Sequence, residues 1–249
     1  YCGGLHAERN ALKNCTEDPS GADLYVTLEP CCHTGKQPPC TEAVLASGVK
    51  RVIVGCTDPN PVVAGRGIRL LREKGLEVVA GVLRGECERQ NEVFFHFMRT
   101  KLPFTVLKYA MTLDGKTATV SGKSQWITGE AARKRVHEDR GRYMAILTGV
   151  STVLADNPQL TCRIPGGKNP IRVIADTKLR TPLSSTVVQT ARETPTWIVT
   201  AVSDAGRKKA YEDAGCRVLS VPAKEGELDL QAMMQRLGEE KVDSVMVES

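Results

Sequence analysis

Residues 22–40, ADLYVTLEPCCHTGKQPPC, decide how the first part of this chain folds. The apolar and β-branched residues at 22–28 predict a buried strand. Pro38 and Pro39 can open a helix that runs to about Ser47. A polar loop rich in cysteine therefore lies between the end of a strand and the start of a helix, which is a typical setting for a functional site in an α/β protein.

Strands and helices alternate outward from this stretch along the whole chain, which is the pattern of α/β architecture. Further helices are predicted at 7–15, 65–74, 84–98, 204–214 and 228–239, and from Thr128. Further strands are predicted at 50–56, 76–82, 104–110, 143–149, 171–176, 196–201, 216–221 and 244–248.

The polar segment 99–103 interrupts this rhythm and ends in a proline, which disfavours helix at the residue before it. We therefore predict two domains, 1–100 and 101–249. The sequence starts at YCGGLHAE without a methionine and stops at VMVES inside a predicted strand. On this basis we expect the first domain to be truncated at its N-terminus and the second at its C-terminus.

The composition is that of a globular protein, with 41% hydrophobic and 25% charged residues among 249. No uninterrupted apolar run of about 18 residues occurs, which argues against a membrane span. The net charge of +5 is dispersed and aromatic residues make up 4%, which disfavours a nucleic-acid surface. Nine widely spaced cysteines disfavour a secreted disulfide scaffold, so we expect a cytoplasmic protein.

Three short elements carry potential zinc chemistry: His6-Ala7-Glu8, Glu29-Pro30-Cys31, and Cys40. A catalytic zinc takes three protein ligands and leaves one position for water, and one imidazole with two thiolates supplies that set. A carboxylate must then move protons, and Glu8 stands two residues from His6 at the start of a helix. Nucleobase deaminases carry this combination as H-x-E followed by P-C-x-x-C.

The spacing here departs from that pattern, because eight residues separate Cys31 from Cys40. A structural zinc site would need a fourth protein ligand. Cys32 or His33 could supply one, so a non-catalytic zinc-stabilised module stays open as an alternative.

The second half of the chain contains neither G-x-G-x-x-G nor a Walker motif, so a Rossmann dinucleotide site has no support. Polar and glycine-rich clusters instead follow several predicted strands, where α/β proteins place their ligands. Gly149, after one such strand, would let the backbone approach a phosphate. The clusters lie at 111–116, 121–128, 148–163 and 175–182.

The first half resembles the deaminase half of the bifunctional deaminase/reductase family of riboflavin biosynthesis (RibD/RibG). The resemblance lies in HAERNAL, YVTLEPCCHTGKQPPC, DPNPVVAGRGI and NEVFFHFMRT, and the family keeps the long insert between its two zinc cysteines. It implies a Zn²⁺ site with His6, Cys31 and Cys40 as ligands and Glu8 as the proton carrier, with Cys32 as a bystander. It also implies that Lys36 meets a substrate phosphate, and the alternative is that Lys36 is an exposed loop lysine.

The second half resembles the reductase half of the same family, in the clusters named above. This implies a cytidine-deaminase-like α/β/α domain followed by a dihydrofolate-reductase-like α/β domain that uses NADPH. Trp126 could also be plain core, and Lys108 could lie on an exposed strand face. The implied NADPH contacts are Ala110, Trp126, Thr152 and Asp156. The implied substrate contacts are Lys108, Ser124, Arg140, Leu160, Arg163 and Glu248.

The family's chemistry implies two consecutive reactions on a small phosphorylated pyrimidine: hydrolytic deamination, and then reduction of the ribosyl group to a ribityl chain. The resemblance also implies a homo-oligomer, either a dimer or a tetramer, and neither nucleic acid nor membrane as a partner. The alternative function is deamination of a nucleobase in RNA with a degenerate second domain.

Overall fold

A computed structural model describes residues 4–35 and 37–248, and the chain forms two compact units, residues 1–99 and 100–249. The first unit contains a three-stranded parallel sheet in the order β1-β2-β3. Its strands are β1 (Asp23–Leu28), β2 (Arg51–Cys56) and β3 (Glu77–Ala80). Its helices are α1 (Ala7–Lys13), α2 (Cys40–Ala46), α3 (Arg66–Glu73), α4 (Arg84–Gln90) and α5 (Glu92–Thr100).

The central strand β2 carries the core of this unit. Val52 and Val54 are fully buried and cluster with Val44 of α2 and Leu71 of α3. A strand with apolar residues on both faces is expected in a parallel sheet that is covered by helices.

The helix predicted at 84–98 is wrong as a single element, because the structure divides it at Asn91 into α4 and α5. The Asn91 side chain donates to the carbonyl of Cys87, 2.9 Å away. Asparagine competes with the helical backbone in this way, which explains the break.

The second unit is built on a six-stranded sheet in the order β4-β11-β5-β6-β7-β8, with every neighbouring pair parallel. The strands are β4 (Phe104–Lys108), β5 (Ala145–Gly149), β6 (Ile171–Ala175), β7 (Thr196–Thr200), β8 (Arg217–Ser220) and β11 (Ser244–Glu248). A short antiparallel pair, β9 (Ala223–Lys224) and β10 (Glu227–Leu228), was not predicted.

Five helices connect these strands, and most of them follow the predicted pattern. They are α6 (Glu130–Arg142), α7 (Val150–Asp156), α8 (Thr186–Gln189), α9 (Ala205–Asp213) and α10 (Leu230–Glu239). The core on one side of the sheet joins Leu147, Val173 and Val199 to Met233 and Leu237 of α10. No helix within the described residues is both long and apolar enough to cross a membrane.

The last strand decides which side chains meet at the sheet edge. Because β11 lies between β4 and β5, Glu248 stands directly opposite Lys108, although 140 residues separate them in the chain. The carboxyl ends of the six parallel strands all lie at this edge, where ligands bind in open α/β sheets.

Gly238 lies where α10 packs closely against the segment that precedes β4. A Cβ at this position would lie 2.0 Å from the carbonyl oxygen of Lys101. We expect Gly238→Ala to lower the free energy of unfolding of this unit by about 1–3 kcal/mol, because backbone must move to make room. Chemical denaturation followed by circular dichroism measures this change.

The matched control is Gly206→Ala in α9, where the atom nearest to the new Cβ, at 3.3 Å, is Oδ1 of the Asp204 side chain and not a backbone atom. Equal stability losses in the two variants would contradict the proposed backbone contact.

Candidate active sites

His6, Cys31 and Cys40 come together in the first unit, with their ligand atoms within 4.8 Å of one another. The Nδ1 atom of His6 lies 3.5 Å from Sγ of Cys31 and 3.4 Å from Sγ of Cys40. A tetrahedral zinc with ordinary Zn–N and Zn–S bonds would hold nitrogen and sulfur roughly 3.5 Å apart. The donor types and spacing therefore fit zinc. Within residues 4–35 and 37–248, no other group of three or more potential metal ligands meets the same distance limit.

Strand and helix ends bring the three ligands together. His6 immediately precedes α1, Cys31 follows β1 after Pro30, and Cys40 is the first residue of α2. The backbone N–H of Cys40 donates to Sγ of Cys31 over 3.3 Å, and the N–H of Thr41 donates to the Cys31 carbonyl over 3.1 Å. The start of α2 thus orients Cys31 and offers its thiolate a donor.

Glu8 lies on the first turn of α1 and is buried beside the ligands. The pKa of the Cys40 thiol is raised, first by burial and then by the charge of Glu8, which also forms a hydrogen bond with it. A buried carboxylate therefore stands next to the three potential metal ligands without being one of them.

Arg9 ties α1 to the loop that precedes Cys40. Its guanidinium donates from Nε to the carbonyl of Pro38 over 3.1 Å and from Nη2 to the carbonyl of Pro39 over 2.8 Å. This contact fixes Cys40 relative to His6 and Glu8. This contact was not predicted, because nothing in the sequence distinguishes Arg9 from a solvated helix residue.

Glu29 is the second residue whose structural role was not predicted from the sequence. It is 3% exposed, and its carboxylate accepts three backbone N–H groups. The donors are the N–H groups of Asp58 at 3.1 Å, Gly65 at 2.8 Å and Ile68 at 3.1 Å. Glu29 therefore holds the 57–68 loop against the strand end that carries Cys31. The position of a carboxylate at the end of an apolar strand was the available signal.

The insert between the two cysteines is partly described. Cys32 and His33 do not join the group of potential ligands, so the structural-zinc alternative gains no fourth ligand from the described side chains. Burial, followed by the charge of Glu29, raises the pKa of Cys32. Nδ1 of His33 is buried and has no hydrogen-bond partner among the described residues. Lys36, the predicted phosphate contact, lies outside the described residues.

At the carboxyl edge of the large sheet, Lys108, Arg140 and Glu248 form one ion network, in which Arg140 is buried and the other two are half-buried. Arg140 donates to both carboxylate oxygens of Glu248, at 3.0 and 2.7 Å, and Lys108 donates to one of them at 3.3 Å. Burial alone would raise the pKa of Glu248, but the hydrogen bonds and charge of Arg140, together with Lys108, hold that pKa below its ordinary value. Three predicted substrate contacts thus lie together.

The same network reaches the loop that follows α7. Nη1 of Arg140 donates to the carbonyl of Thr161 over 3.0 Å. On one side of Thr161, Leu160 is buried with a left-handed backbone (φ 53°), and on the other Arg163 is exposed. The structure therefore connects Leu160 and Arg163 to Arg140 through the backbone of one loop.

The predicted cofactor contacts are more dispersed. Thr152 and Asp156 are four residues apart on α7, so they share one helix face. Ala110, Ser124 and Trp126 lie on the 109–129 connection, and no hydrogen bond within the described residues joins them to the Lys108 network. The Trp126 ring is 69% exposed beneath the guanidinium of Arg133, so the alternative that it is plain core is wrong.

Two buried polar atoms mark the same sheet edge. Oγ1 of Thr148 and Oδ1 of Asp176 have no hydrogen-bond partner among the described residues. Thr148 is near the end of β5, and Asp176 directly follows the neighbouring strand β6. Unpaired polar atoms at adjacent strand ends, beside the open position of Gly149, fit a polar ligand such as a dinucleotide.

The fold and the two sites define a zinc-binding deaminase region followed by an α/β domain of the reductase type. Residues 2–56 match the family model of the cytidine and deoxycytidylate deaminase zinc-binding region, and residues 103–249 match that of the RibD C-terminal domain. The chain belongs to the RibD family of riboflavin biosynthesis proteins.

Individual relatives agree with this assignment. The chain is 52% identical over 246 residues to riboflavin biosynthesis protein RibD of Actinobacillus pleuropneumoniae, covering 99% of this chain and 65% of that protein. It is 40% identical over 260 residues to RibD of Escherichia coli K12, covering 99% of the chain and 69% of the relative. The chain thus spans about two thirds of the length of these relatives.

Solved structures give the same result. A diaminohydroxyphosphoribosylaminopyrimidine deaminase/5-amino-6-(5-phosphoribosylamino)uracil reductase from Thermotoga maritima has a TM-score of 0.86 at 41% identity, covering 99% of this chain and 68% of that one. Acinetobacter baumannii RibD has a TM-score of 0.85 at 35% identity, covering 99% and 67%. The predicted family and fold class are confirmed. The match of residues 103–249 to the RibD C-terminal domain counts against a degenerate second domain.

The role of Glu29 can be tested by Glu29→Gln. The amide keeps the shape but replaces one acceptor oxygen by a donor that faces backbone N–H groups. We expect the free energy of unfolding of the first unit to fall by about 2–3 kcal/mol, because a buried charged acceptor is lost. Chemical denaturation of zinc-loaded protein measures it.

Glu42→Gln is the control, since Glu42 is exposed on α2 of the same unit. If Glu29→Gln lowers the free energy of unfolding no more than Glu42→Gln does, Glu29 does not hold the 57–68 loop.

Proposed function

We propose that this chain is a bifunctional enzyme of riboflavin biosynthesis, with a zinc-dependent deaminase in residues 1–100 and an NADPH-dependent reductase in residues 101–249. The observation that carries the proposal is the cluster of His6, Cys31 and Cys40 with the buried carboxylate of Glu8 beside it, on one chain with a reductase-type domain.

In the deaminase, His6, Cys31 and Cys40 would hold the metal. A zinc ion bound there would activate a water molecule for attack on the amine-bearing ring carbon. Glu8 carries the protons: its carboxylate takes one proton from the water and delivers it to the ring nitrogen. It then carries the second proton, from the hydroxyl now on the ring carbon, to the amino group, which leaves as ammonia. Its position on the rigid first turn of α1 keeps this carboxylate within reach of the ligands without occupying a ligand position.

The substrate we propose is a small pyrimidine that carries a ribosylamino 5′-phosphate. The name of the Thermotoga maritima relative describes such a compound for that protein. In this chain, Lys36 supplies a flexible ammonium for the phosphate, because lysine acts as a point charge toward phosphate oxygens.

In the reductase, the C1′–O4′ bond of the ribosyl group of the deaminated pyrimidine breaks, O4′ takes a proton and C1′ accepts a hydride, which leaves a ribityl chain. Ala110, Trp126, Thr152 and Asp156 would hold NADPH, which would supply that hydride. The protein's own contribution is to hold the substrate at the sheet edge. We assign this task to Lys108, Ser124, Arg140, Leu160, Arg163 and Glu248.

We further propose that the protein acts in the cytoplasm, as a homo-oligomer and without a nucleic-acid or membrane partner. The cysteines of the described residues are all free thiols, which suits a reducing compartment. Size-exclusion chromatography with light scattering measures the oligomeric state.

The metal assignment predicts different results for two adjacent cysteines. Cys31→Ser should lower the zinc content of the purified protein from about one ion per chain to nearly none after dialysis against a chelator, because a thiolate ligand is lost. Cys32→Ser should keep its zinc. Elemental mass spectrometry measures both, and loss of zinc from Cys32→Ser alone would reverse the assignment.

Glu8→Gln tests the two activities separately in the full-length protein. We expect ammonia release from the diaminopyrimidine substrate to fall at least about a hundredfold, because the proton carrier is lost. Zinc content should be unchanged. NADPH oxidation with the already deaminated pyrimidine should also persist.

Glu42→Gln is the matched control and should keep both activities. The proposed function is wrong if the unmodified protein releases no ammonia and oxidises no NADPH with these substrates.

A further inference from the structure

Arg172 is the largest fully buried side chain in the described part of the protein. It lies on β6, in the interior of the large sheet. Its guanidinium donates to four backbone carbonyls and one hydroxyl, at 2.8–3.1 Å. The acceptors are the carbonyls of Gln159, Val187, Thr190 and Thr194 and Oγ1 of Thr190.

No carboxylate forms an ion pair with Arg172 within residues 4–35 and 37–248, and its Nε has no acceptor there. Burial lowers the pKa of Arg172 to about 10, so the group still carries its charge at neutral pH. Burying a charge without an opposite one is unfavourable, and an apolar side chain would fill the same space without that cost. What distinguishes arginine here is its planar fork of five donors.

Four of these five bonds go to the neighbouring 187–194 segment, and the fifth goes to Gln159, in the loop that carries Leu160 and Arg163. Between Pro158 and Arg163 this loop forms no backbone–backbone hydrogen bond within the described residues. Its conformation therefore depends on side chains from outside the loop.

Four side chains hold the loop. Arg172 and Arg140 bind the carbonyls of Gln159 and Thr161, one on each side of the left-handed Leu160. The other two bind loop N–H groups: Asn169 accepts from Cys162 over 3.0 Å, and His137 accepts from Arg163 over 3.3 Å. Arg172 is the one that anchors the loop to the sheet core.

We propose that Arg172 is a positioning residue of the reductase site, which fixes the Gln159 carbonyl and thereby sets where Leu160 and Arg163 meet the pyrimidine substrate. The expected effect on substrate binding rests on the proposed function. The expected effect on the conformation of the loop does not.

The test uses Arg172→Lys in the full-length protein, because lysine keeps the charge and cannot span Gln159 and the 187–194 segment together. We expect KM for the deaminated pyrimidine to rise about tenfold, since a displaced loop loses substrate contacts. KM for NADPH and the rate of ammonia release should stay within about twofold of the unmodified protein, because neither depends on the loop.

Hydrogen exchange supplies a readout that needs no activity. The amides of Cys162 and Arg163 should exchange at least about tenfold faster in Arg172→Lys, because the loop opens more often. Amides of β5 should not change.

Val173→Ala is the matched control. Val173 is fully buried on the same strand, and its side chain faces the opposite side of the sheet, away from Arg172. Val173→Ala should destabilise the unit without changing KM for the deaminated pyrimidine or the exchange rates of the loop amides. The proposal is overturned if Arg172→Lys raises loop exchange and KM no more than Val173→Ala does.

Two further outcomes are also decisive. If Arg172→Lys does not fold, Thr190→Val replaces it. This change removes the hydroxyl that accepts from Nη1 of Arg172 over 2.8 Å and donates to the Thr186 carbonyl over 2.7 Å, and it leaves the carbonyl acceptors of Arg172 in place. We then expect the amides of Cys162 and Arg163 to exchange about threefold faster. If their exchange is not faster, the proposal is overturned. If the unmodified protein oxidises no NADPH, the proposed function fails, while the exchange experiment still decides whether Arg172 holds the loop.

Discussion

Parallel strand pairing is the constraint on which both sites depend. In each unit, parallel pairing places the carboxyl ends of adjacent strands at one edge of the sheet. Cys31 follows β1 at such an edge, and Lys108 and Glu248 end two paired strands at the other. Residues more than a hundred positions apart meet there without any local sequence signal.

Buried charges then fix the loops that leave these edges. The Glu29 carboxylate binds three N–H groups of the 57–68 loop, and the guanidinium groups of Arg140 and Arg172 bind carbonyls of the 157–163 loop. Backbone groups in such loops have no neighbouring strand to pair with. A charged side chain that forms several hydrogen bonds takes the place of those backbone partners. The two units thus use opposite charges for the same purpose.

The sequence predicted the parts of the structure that depend on local pattern. Strand and helix types followed from periodicity, and the clustering of His6, Cys31 and Cys40 followed from the types and order of these residues. The short α8 and the β9–β10 pair were missed, because two to four residues give no periodic signal. The division at Asn91 was missed because it depends on a single side-chain hydrogen bond.

What the sequence could not supply was the partner of each charged residue. Arg140 and Glu248 were both predicted as substrate contacts, but their bidentate pairing, 108 residues apart, emerges only from the insertion of β11 between β4 and β5. Glu29 and Arg172 looked like ordinary residues at the end and start of strands. Long-range pairing of this kind follows from topology, which a single sequence specifies only through the whole fold.

The pairing also separates the two arginines that were predicted together as substrate clamps. Arg140 is buried, its charge is balanced by Glu248, and its three nitrogens already donate to that carboxylate and to Thr161. Arg163 is exposed and forms no ion pair within the described residues. An anionic group on a substrate is attracted by uncompensated charge, so Arg163 is the better partner for it. Arg140, through its bond to the Thr161 carbonyl, also keeps the loop that carries Arg163 in position.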